Sequence, residues 1–120
     1  MALGYGSHAE GTWAIANGYG SHAEGYKLVD KDGNTRSAIA SGNGSHAEGV
    51  ATASGQYAHA EGGALTDSSS GTQFFGKASG YSAHSEAVAT ASGSFSHAEG
   101  LSEAKGTLSH AEGQKTYTEG

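Results

Sequence analysis

Every histidine of the chain lies in one recurring slot, where a glutamate follows it two residues later. The slot belongs to a pentapeptide, Ser-His-Ala-Glu-Gly, which occurs five times in full and twice in a looser form. Neighbouring histidine and glutamate side chains can pass protons, hydrogen-bond to one another or ligate a metal ion. The pairs are His8 and Glu10, His22 and Glu24, His46 and Glu48, His59 and Glu61, His84 and Glu86, His97 and Glu99, and His110 and Glu112.

The pattern does not predict catalysis by these residues. Adjacent residues of a strand point to opposite faces, so the Ser and His of the motif cannot form a nucleophile–base pair. The sequence contains neither an HExxH zinc motif nor a phosphate-binding glycine loop. One histidine and one glutamate per repeat also do not complete a four-ligand metal site without neighbours. We therefore predict a protein that is not an enzyme, with no catalytic residues, no metal and no cofactor.

The spacing of the motif glycines predicts the elements that carry these side chains. Glycines recur every six or seven residues, so that one SHAEG segment and one looser segment, such as VATASG, span 13 or 14 residues. That length suits one coil of a β-solenoid, with two short strands and two tight corners. Two insertions, at about 26–36 and 63–74, carry Asp-Gly-Asn and Ser-Ser-Ser-Gly sequences that are typical of hairpin turns. We predict one all-β domain over residues 1–120, a parallel β-solenoid (β-roll) of about seven coils with two hairpin insertions.

Strand alternation assigns the two sides of each coil. The Ser, Ala and Gly of the motif share one side and the His and Glu share the other. Because large apolar residues are scarce, the small set is expected to fill a narrow interior, with His and Glu outside. Glycine is expected at the corners for positive φ or close chain approach. Ala87 replaces one such glycine, and we expect a β-compatible corner there.

Composition excludes several classes of function. The formal net charge of −6 argues against neutralisation of nucleic-acid phosphates. No apolar run approaches the roughly 18 residues that span a bilayer, so membrane insertion is not expected. Cysteine is absent, which excludes disulfides.

Segments such as 40–49, 53–62 and 91–100 fit the loose pattern A-x-G-x-x-S-x-A-x-G. This pattern resembles the head repeats of YadA-like trimeric autotransporter adhesins, which form a left-handed parallel β-roll. The SHAEG spelling is more similar to repeats in bacteriophage tail-fibre and neck-appendage proteins. The resemblance implies a homotrimer that serves surface attachment, outside the cell on a virion tail fibre or appendage or on a bacterial surface. In the adhesin heads the outward pair is typically apolar, whereas here it is His and Glu.

Stacked coils would align the histidines in one column and the glutamates in the next. We interpret these fourteen residues as candidates for the trimer interface, where His of one chain would bond to Glu of another and relieve repulsion between stacked carboxylates. The positions of the other half-repeat, such as Thr52, Lys77 and Glu103, vary freely by comparison. A solvated polar face and a metal column are the alternative interpretations.

The function expected from these features is that of a rigid spacer with a recognition patch on its insertions, because loops on a rigid scaffold often carry binding. Its partners would be itself, a cell-surface glycan or protein receptor, and other domains of a longer fibre. The alternative is a purely structural, self-assembling rod that uses uncapped ends. An ice-binding face is disfavoured because its threonine array is irregular. The receptor-binding candidates are Lys27, Asp30, Lys31, Asp32, Asn34 and Arg36 in the first insertion, and Gln73 and Phe74 in the second.

Overall fold

A computed structural model describes residues 1–30, 32–66 and 73–118, and within these ranges the chain forms short β-strands. The strands are β1 (His8–Gly11), β2 (Ile15–Ala16), β3 (His22–Gly25), β4 (Leu28–Val29), β5 (Thr35–Arg36), β6 (Ile39–Ala40), β7 (His46–Gly49), β8 (Thr52–Ala53), β9 (His59–Ala60), β10 (Ala64–Thr66), β11 (Gln73–Phe75), β12 (Lys77–Ala78), β13 (His84–Ser85), β14 (Thr90–Ala91), β15 (His97–Ala104) and β16 (His110–Thr118).

Twelve of the strands form a single parallel sheet that curls back on itself. The motif strands follow the order β1-β3-β7-β9-β13-β15, and the strands of the looser segments return in the order β14-β12-β8-β6-β2. Strand β15 is long enough to take part in both walls, and β16 pairs along its length. The prediction of an all-β, solenoid-like chain built on parallel strands is confirmed.

Each motif position stacks on its own copy in the next repeat. His22 pairs with His46 and Glu24 with Glu48, although the members of each pair are 24 positions apart in the chain. His46 in turn pairs with His59, thirteen residues further along the chain. The hairpin insertions therefore leave the register of the motif face unchanged.

Alanine and serine fill the interior, as the alternation predicts. Ala23, Ala47 and Ala60 on the motif wall, and Ala40 and Ala53 on the opposite wall, are fully buried. The described molecule is only 15 Å across in its thinnest dimension. The motif serines that are buried donate their hydroxyl hydrogen to the carbonyl of the glycine three residues earlier, over 2.6–2.7 Å, at Ser21, Ser45, Ser96 and Ser109.

At both corners of a coil a glycine lies close to the next coil, but the two corners differ in backbone φ. At Gly42 the backbone φ is not in the left-handed region, but a Cβ there would overlap the carbonyl oxygen of Gly55 in the next coil. At Gly49 the φ is +78° and a Cβ would overlap the Gly62 carbonyl oxygen. Ala87, in the same row as Gly49, has φ +64°. The expectation of a β-compatible corner at Ala87 was therefore wrong, because the residue adopts the left-handed conformation of the glycines it replaces.

Each insertion contains an antiparallel strand pair. In the first hairpin, β4 pairs with β5 through Leu28–Arg36 and Val29–Thr35. In the second, β10 pairs with β11, but the predicted Ser-Ser-Ser-Gly tip lies outside the described residues. Both hairpins follow a motif strand, β3 in one case and β9 in the other, so they leave the stack at the same corner.

Candidate functional site

The seven histidines form one continuous row of rings along the motif wall. From His22 to His110 successive rings are parallel within 2–4°, with centroids 4.6–4.9 Å apart. Only the first pair differs, since the ring of His8 meets that of His22 edge-on at 5.0 Å. The spacing follows the separation of hydrogen-bonded strands, so the backbone ladder sets the spacing of the rings.

The glutamates form a second row beside the first, and the two rows interlock. The Nε2 atom of His22 lies 3.6 Å from a carboxylate oxygen of Glu10 in the preceding coil and 3.8 Å from one of Glu24 in its own. His46 repeats this arrangement with Glu24 at 3.6 Å and Glu48 at 3.4 Å. Each inner histidine therefore lies between two carboxylates, and each inner carboxylate lies between two histidines. We call this combined double row the His/Glu ladder.

Few ladder contacts are hydrogen bonds. Within the described residues, the Nε2 atoms of His59 and His97 bond to Glu48 and Glu86 at 3.2 Å. Three further Nε2 atoms are shielded from solvent and have no hydrogen-bond partner in the described part of the chain, namely those of His22, His46 and His84. The side chains of the inner histidines are nevertheless 33–38% exposed, so other atoms of these side chains reach solvent.

Electrostatics shift two groups of the ladder from their ordinary titration ranges. Burial lowers the pKa of His84, and the neighbouring His59 and His97 rings reinforce the effect against the opposing influence of nearby carboxylates. At the end of the row, hydrogen bonding with Glu24 and with His8 lowers the pKa of Glu10. The inner ladder therefore favours neutral imidazole at His84.

An open groove of about 630 Å³ follows the glutamate row on one side of the ladder. Carboxylates border the groove, together with corner residues such as Gly62 and Ala87. Its acidic lining suits cations and hydrogen-bond donors rather than anions. The carboxylates are those of Glu48, Glu61, Glu86 and Glu99.

The first hairpin presents most of its predicted contact residues to solvent. Lys27, Asp32, Asn34 and Arg36 are exposed, and Lys31 lies outside the described residues. Asp30 differs from the others, because its side chain is only 3% exposed. It therefore supports the hairpin from within instead of lying on the patch expected from the sequence.

The contacts of Asp30 explain this role. Its carboxylate accepts hydrogen bonds from the backbone N–H groups of Asp32 and Asn34 and from the Nε of Arg36, at 2.8–3.1 Å. Burial opposes ionisation of Asp30, but the bonds from Asn34, Arg36 and Asp32 together hold its pKa below the ordinary value. The Asp-Gly-Asn turn signal predicted the hairpin without revealing this internal carboxylate.

The two hairpins contact each other and the stack through cation–π pairs. The Arg36 guanidinium lies 4.8 Å from the ring centroid of Phe75 in the second hairpin. Lys27 lies 4.6 Å from the ring of Trp13, which belongs to a neighbouring corner. Gln73 and Phe74, the candidates on the second hairpin, are half-buried. The structure thus brings candidates of both insertions into one surface region, which we call the hairpin patch, namely Lys27, Asp32, Asn34, Arg36, Gln73 and Phe74.

An aromatic row at the other corner is a further exposed feature. The rings of Tyr57, Tyr81 and Phe95 meet edge to face at 5.5–5.6 Å, and each is 43–55% exposed. Tyr57 and Phe95 have positive φ values of 59° and 58°. Relative to the preceding corner glycine, Tyr57 and Phe95 occupy the second turn position and Tyr81 occupies the first.

Comparison with family models, with curated proteins and with solved structures finds no match to this chain. Among the described residues there is also no helix of the length and hydrophobicity needed to cross a membrane. The two surfaces that define the candidate site are the His/Glu ladder and the hairpin patch.

Proposed function

We propose that the chain is a non-enzymatic segment of a trimeric fibre, of the phage tail-fibre or surface-adhesin type, that acts outside the cell as a rigid spacer. In this proposal about seven coils of 13–14 residues form each rod, and three rods associate through their His/Glu ladders. The observation that carries the proposal is the unbroken register of the ladder from His8 to His110.

The chemistry of the ladder supports association of copies of this chain. Its inner histidine and glutamate side chains are 33–38% exposed, so a second chain could contact them. A second ladder offers both donors and acceptors at the same spacing, so neighbouring chains could pair repeatedly along the rod. On the opposite wall the outward residues follow no such rule, since Ile39, Thr52 and Lys77 stack on one another.

The hairpin patch is the proposed receptor-contacting surface, for a cell-surface glycan or protein. Lys27, Asp32, Asn34 and Arg36 are exposed there, and the stack beneath the patch is held by regular backbone bonding. A preorganised patch loses little conformational entropy when it binds. The cation–π contacts of Lys27 with Trp13 and of Arg36 with Phe75 restrain these two side chains before a receptor binds.

Sedimentation of EDTA-treated protein between about pH 8 and pH 4 tests the trimer. We expect a trimer mass at pH 8 and dissociation as the histidines gain protons and the glutamates lose charge, because positive rows would then face one another. The variant His59→Ala/His97→Ala should weaken the trimer, whereas Thr52→Ala/Thr90→Ala on the opposite wall should not. A monomer at every pH, or a trimer indifferent to both pH and the histidine substitutions, would contradict the proposal.

A purely structural rod is the second candidate function. It is favoured by the internal use of the charged groups of the hairpins, since Asp30 binds Arg36 and Arg36 also packs on Phe75. Glycan-array binding distinguishes the two candidates. Binding that disappears on deletion of residues 63–73 supports recognition, and absence of binding by the intact trimer supports the rod.

A further inference from the structure

Five histidines of the ladder share one local geometry. In each, the Nε2 atom lies 3.2–3.8 Å from two carboxylate oxygens. One belongs to the glutamate of the preceding coil and the other to the glutamate of the same coil. We call each such group of one imidazole and two carboxylates a node. The nodes centre on His22, His46, His59, His84 and His97.

Most node distances are too long for good hydrogen bonds but suit two ligands of one ion. Two donors that each lie about 2.0–2.1 Å from a tetrahedral metal ion are about 3.3–3.5 Å apart. The Nε2 to carboxylate distances around His22 and His46, at 3.4–3.8 Å, are close to this separation. The Nε2 atoms of His22, His46 and His84 are also shielded from solvent without a hydrogen-bond partner in the described chain. A shielded Nε2 that carries a proton needs a hydrogen-bond acceptor, and one that carries a free lone pair needs a hydrogen-bond donor or a cation.

We propose that the His/Glu ladder binds divalent transition-metal ions of the Zn²⁺ class, each held at a node by one imidazole Nε2 and two carboxylate oxygens from consecutive coils. Water would complete the coordination at the exposed side of the row. Mixed imidazole and carboxylate donors favour Zn²⁺, Co²⁺, Ni²⁺ or Cu²⁺ over Mg²⁺ and Ca²⁺.

The arrangement of the carboxylate oxygens favours a chain of sites over a single one. Glu24 directs one oxygen towards His22 and the other towards His46. Glu61 does the same between His59 and His84. A carboxylate placed in this way can bridge two ions, as in two-metal sites. Because adjacent nodes are separated by only one coil, repulsion between ions favours occupation of alternate nodes first, which gives at least two ions per chain.

Stacking supplies what a single repeat lacks. The sequence predicts no metal because one histidine and one glutamate are too few ligands, but each coil borrows a carboxylate from its neighbour. Bound cations would also offset the repulsion within the stacked row of glutamates. Each node is complete within one chain, so this proposal goes beyond the fibre function and does not depend on the trimer.

The test is equilibrium dialysis of the EDTA-stripped full chain against Co²⁺ at pH 7.5, with visible spectroscopy. We expect two or more Co²⁺ per chain and the intense bands that distinguish four-coordinate Co²⁺ from the aqueous ion. Zn²⁺ should displace the Co²⁺, and acidification below about pH 6 should release it because the imidazoles gain protons. One ion or none per chain would overturn the proposal.

Matched variants locate the bound ions. Glu48→Gln/Glu86→Gln alters four of the five nodes and should reduce binding to one Co²⁺ or fewer. Asp32→Asn/Glu103→Gln removes the same charge from the hairpin and the opposite wall and should bind like the unaltered chain. Equal losses in both variants would overturn the proposal. If the first variant does not fold, X-ray absorption of the Zn²⁺-loaded unaltered chain identifies the ligands of the ion. We expect imidazole nitrogen together with carboxylate oxygen, and a coordination shell of oxygen alone would overturn the proposal.

Discussion

At the scale of single residues, the buried serines Ser85 and Ser96 differ in their hydrogen bonding. Ser96 precedes the motif histidine, and its hydroxyl donates to the Gly93 carbonyl at 2.6 Å. Ser85 occupies a position that is alanine in the neighbouring coils, where Ala60 and Ala98 flank it. Its Oγ is fully buried with no hydrogen-bond partner among the described residues. The same residue type is therefore stabilising at one position and costly at the other.

Replacement of Ser85 by Ala should raise the free energy of unfolding by about 1 kcal/mol, because an unpaired buried hydroxyl carries an uncompensated desolvation cost. Ser96→Ala is the matched control and should lower it by about 1 kcal/mol, since it removes a buried hydrogen bond. Urea unfolding followed by circular dichroism measures both changes. A Ser85→Ala protein less stable than the original would show that the hydroxyl has a partner after all.

At the scale of the corner, positive φ and close approach are separable demands. Gly20 has φ +63° but open space around a would-be Cβ, whereas Gly42 has an ordinary φ and no space. Positions equivalent to Gly20 hold Tyr57, Phe95 and Leu108, all with φ near +60°. The chain thus tolerates, at several corners, the strain of a non-glycine residue in the left-handed backbone conformation. The row that contains Gly42 contains glycine alone, since there the obstacle is the backbone of the next coil.

Gly20→Ala should therefore lower the free energy of unfolding by about 1 kcal/mol, because an L-residue with a side chain is strained in the left-handed conformation. Gly42→Ala should cost about 3 kcal/mol or more, because the coils must separate to admit the methyl group. Thermal unfolding of the two variants side by side gives the comparison. Equal destabilisation would mean that the Gly42 corner can relax, contrary to the packing described above.

At the scale of the whole molecule, the ladder couples stability to pH. Because folding lowers the pKa of His84 below 6.5, the unfolded chain takes up its proton first as the pH falls. The contribution of His84 to stability is thus complete well above pH 6.5 and is lost progressively below it. The lowered pKa of Glu10 adds a second loss below about pH 4.5, where the unfolded carboxylate gains its proton before the folded one does.

We expect the thermal midpoint of unfolding to be lower at pH 5.5 than at pH 7.5, and His84→Gln to reduce this difference. His59, His97, Glu61 and Glu86 surround the substituted ring and remain in place. His8→Gln serves as the control, because that ring is 65% exposed at the end of the row. A pH dependence that survives His84→Gln unchanged would assign the effect to other groups.

The sequence predicted those features that depend on alternation and turn chemistry. The small residues face inward and the His and Glu outward because period two leaves no other arrangement, and the Asp-Gly-Asn turn marked the first hairpin correctly. The interlocked contacts of the ladder could not be derived in this way, since they depend on side-chain conformations in two stacked coils. The burial of Asp30 and the contact of Arg36 with Phe75 depend on how the hairpins fold back, which no periodicity encodes.

The direction of the backbone bonds has a mechanical consequence. Coil-to-coil bonds such as His22 N–H to Ser45 C=O and His46 N–H to Ala58 C=O run along the stack. A load that pulls the two ends apart along that direction strains these bonds a few at a time, as in unzipping, instead of all together as in shear. Each 13-residue repeat that peels away, such as the one from His46 to His59, would release about 45 Å of extended chain. The stack would lengthen stepwise under tension and dissipate energy at each step.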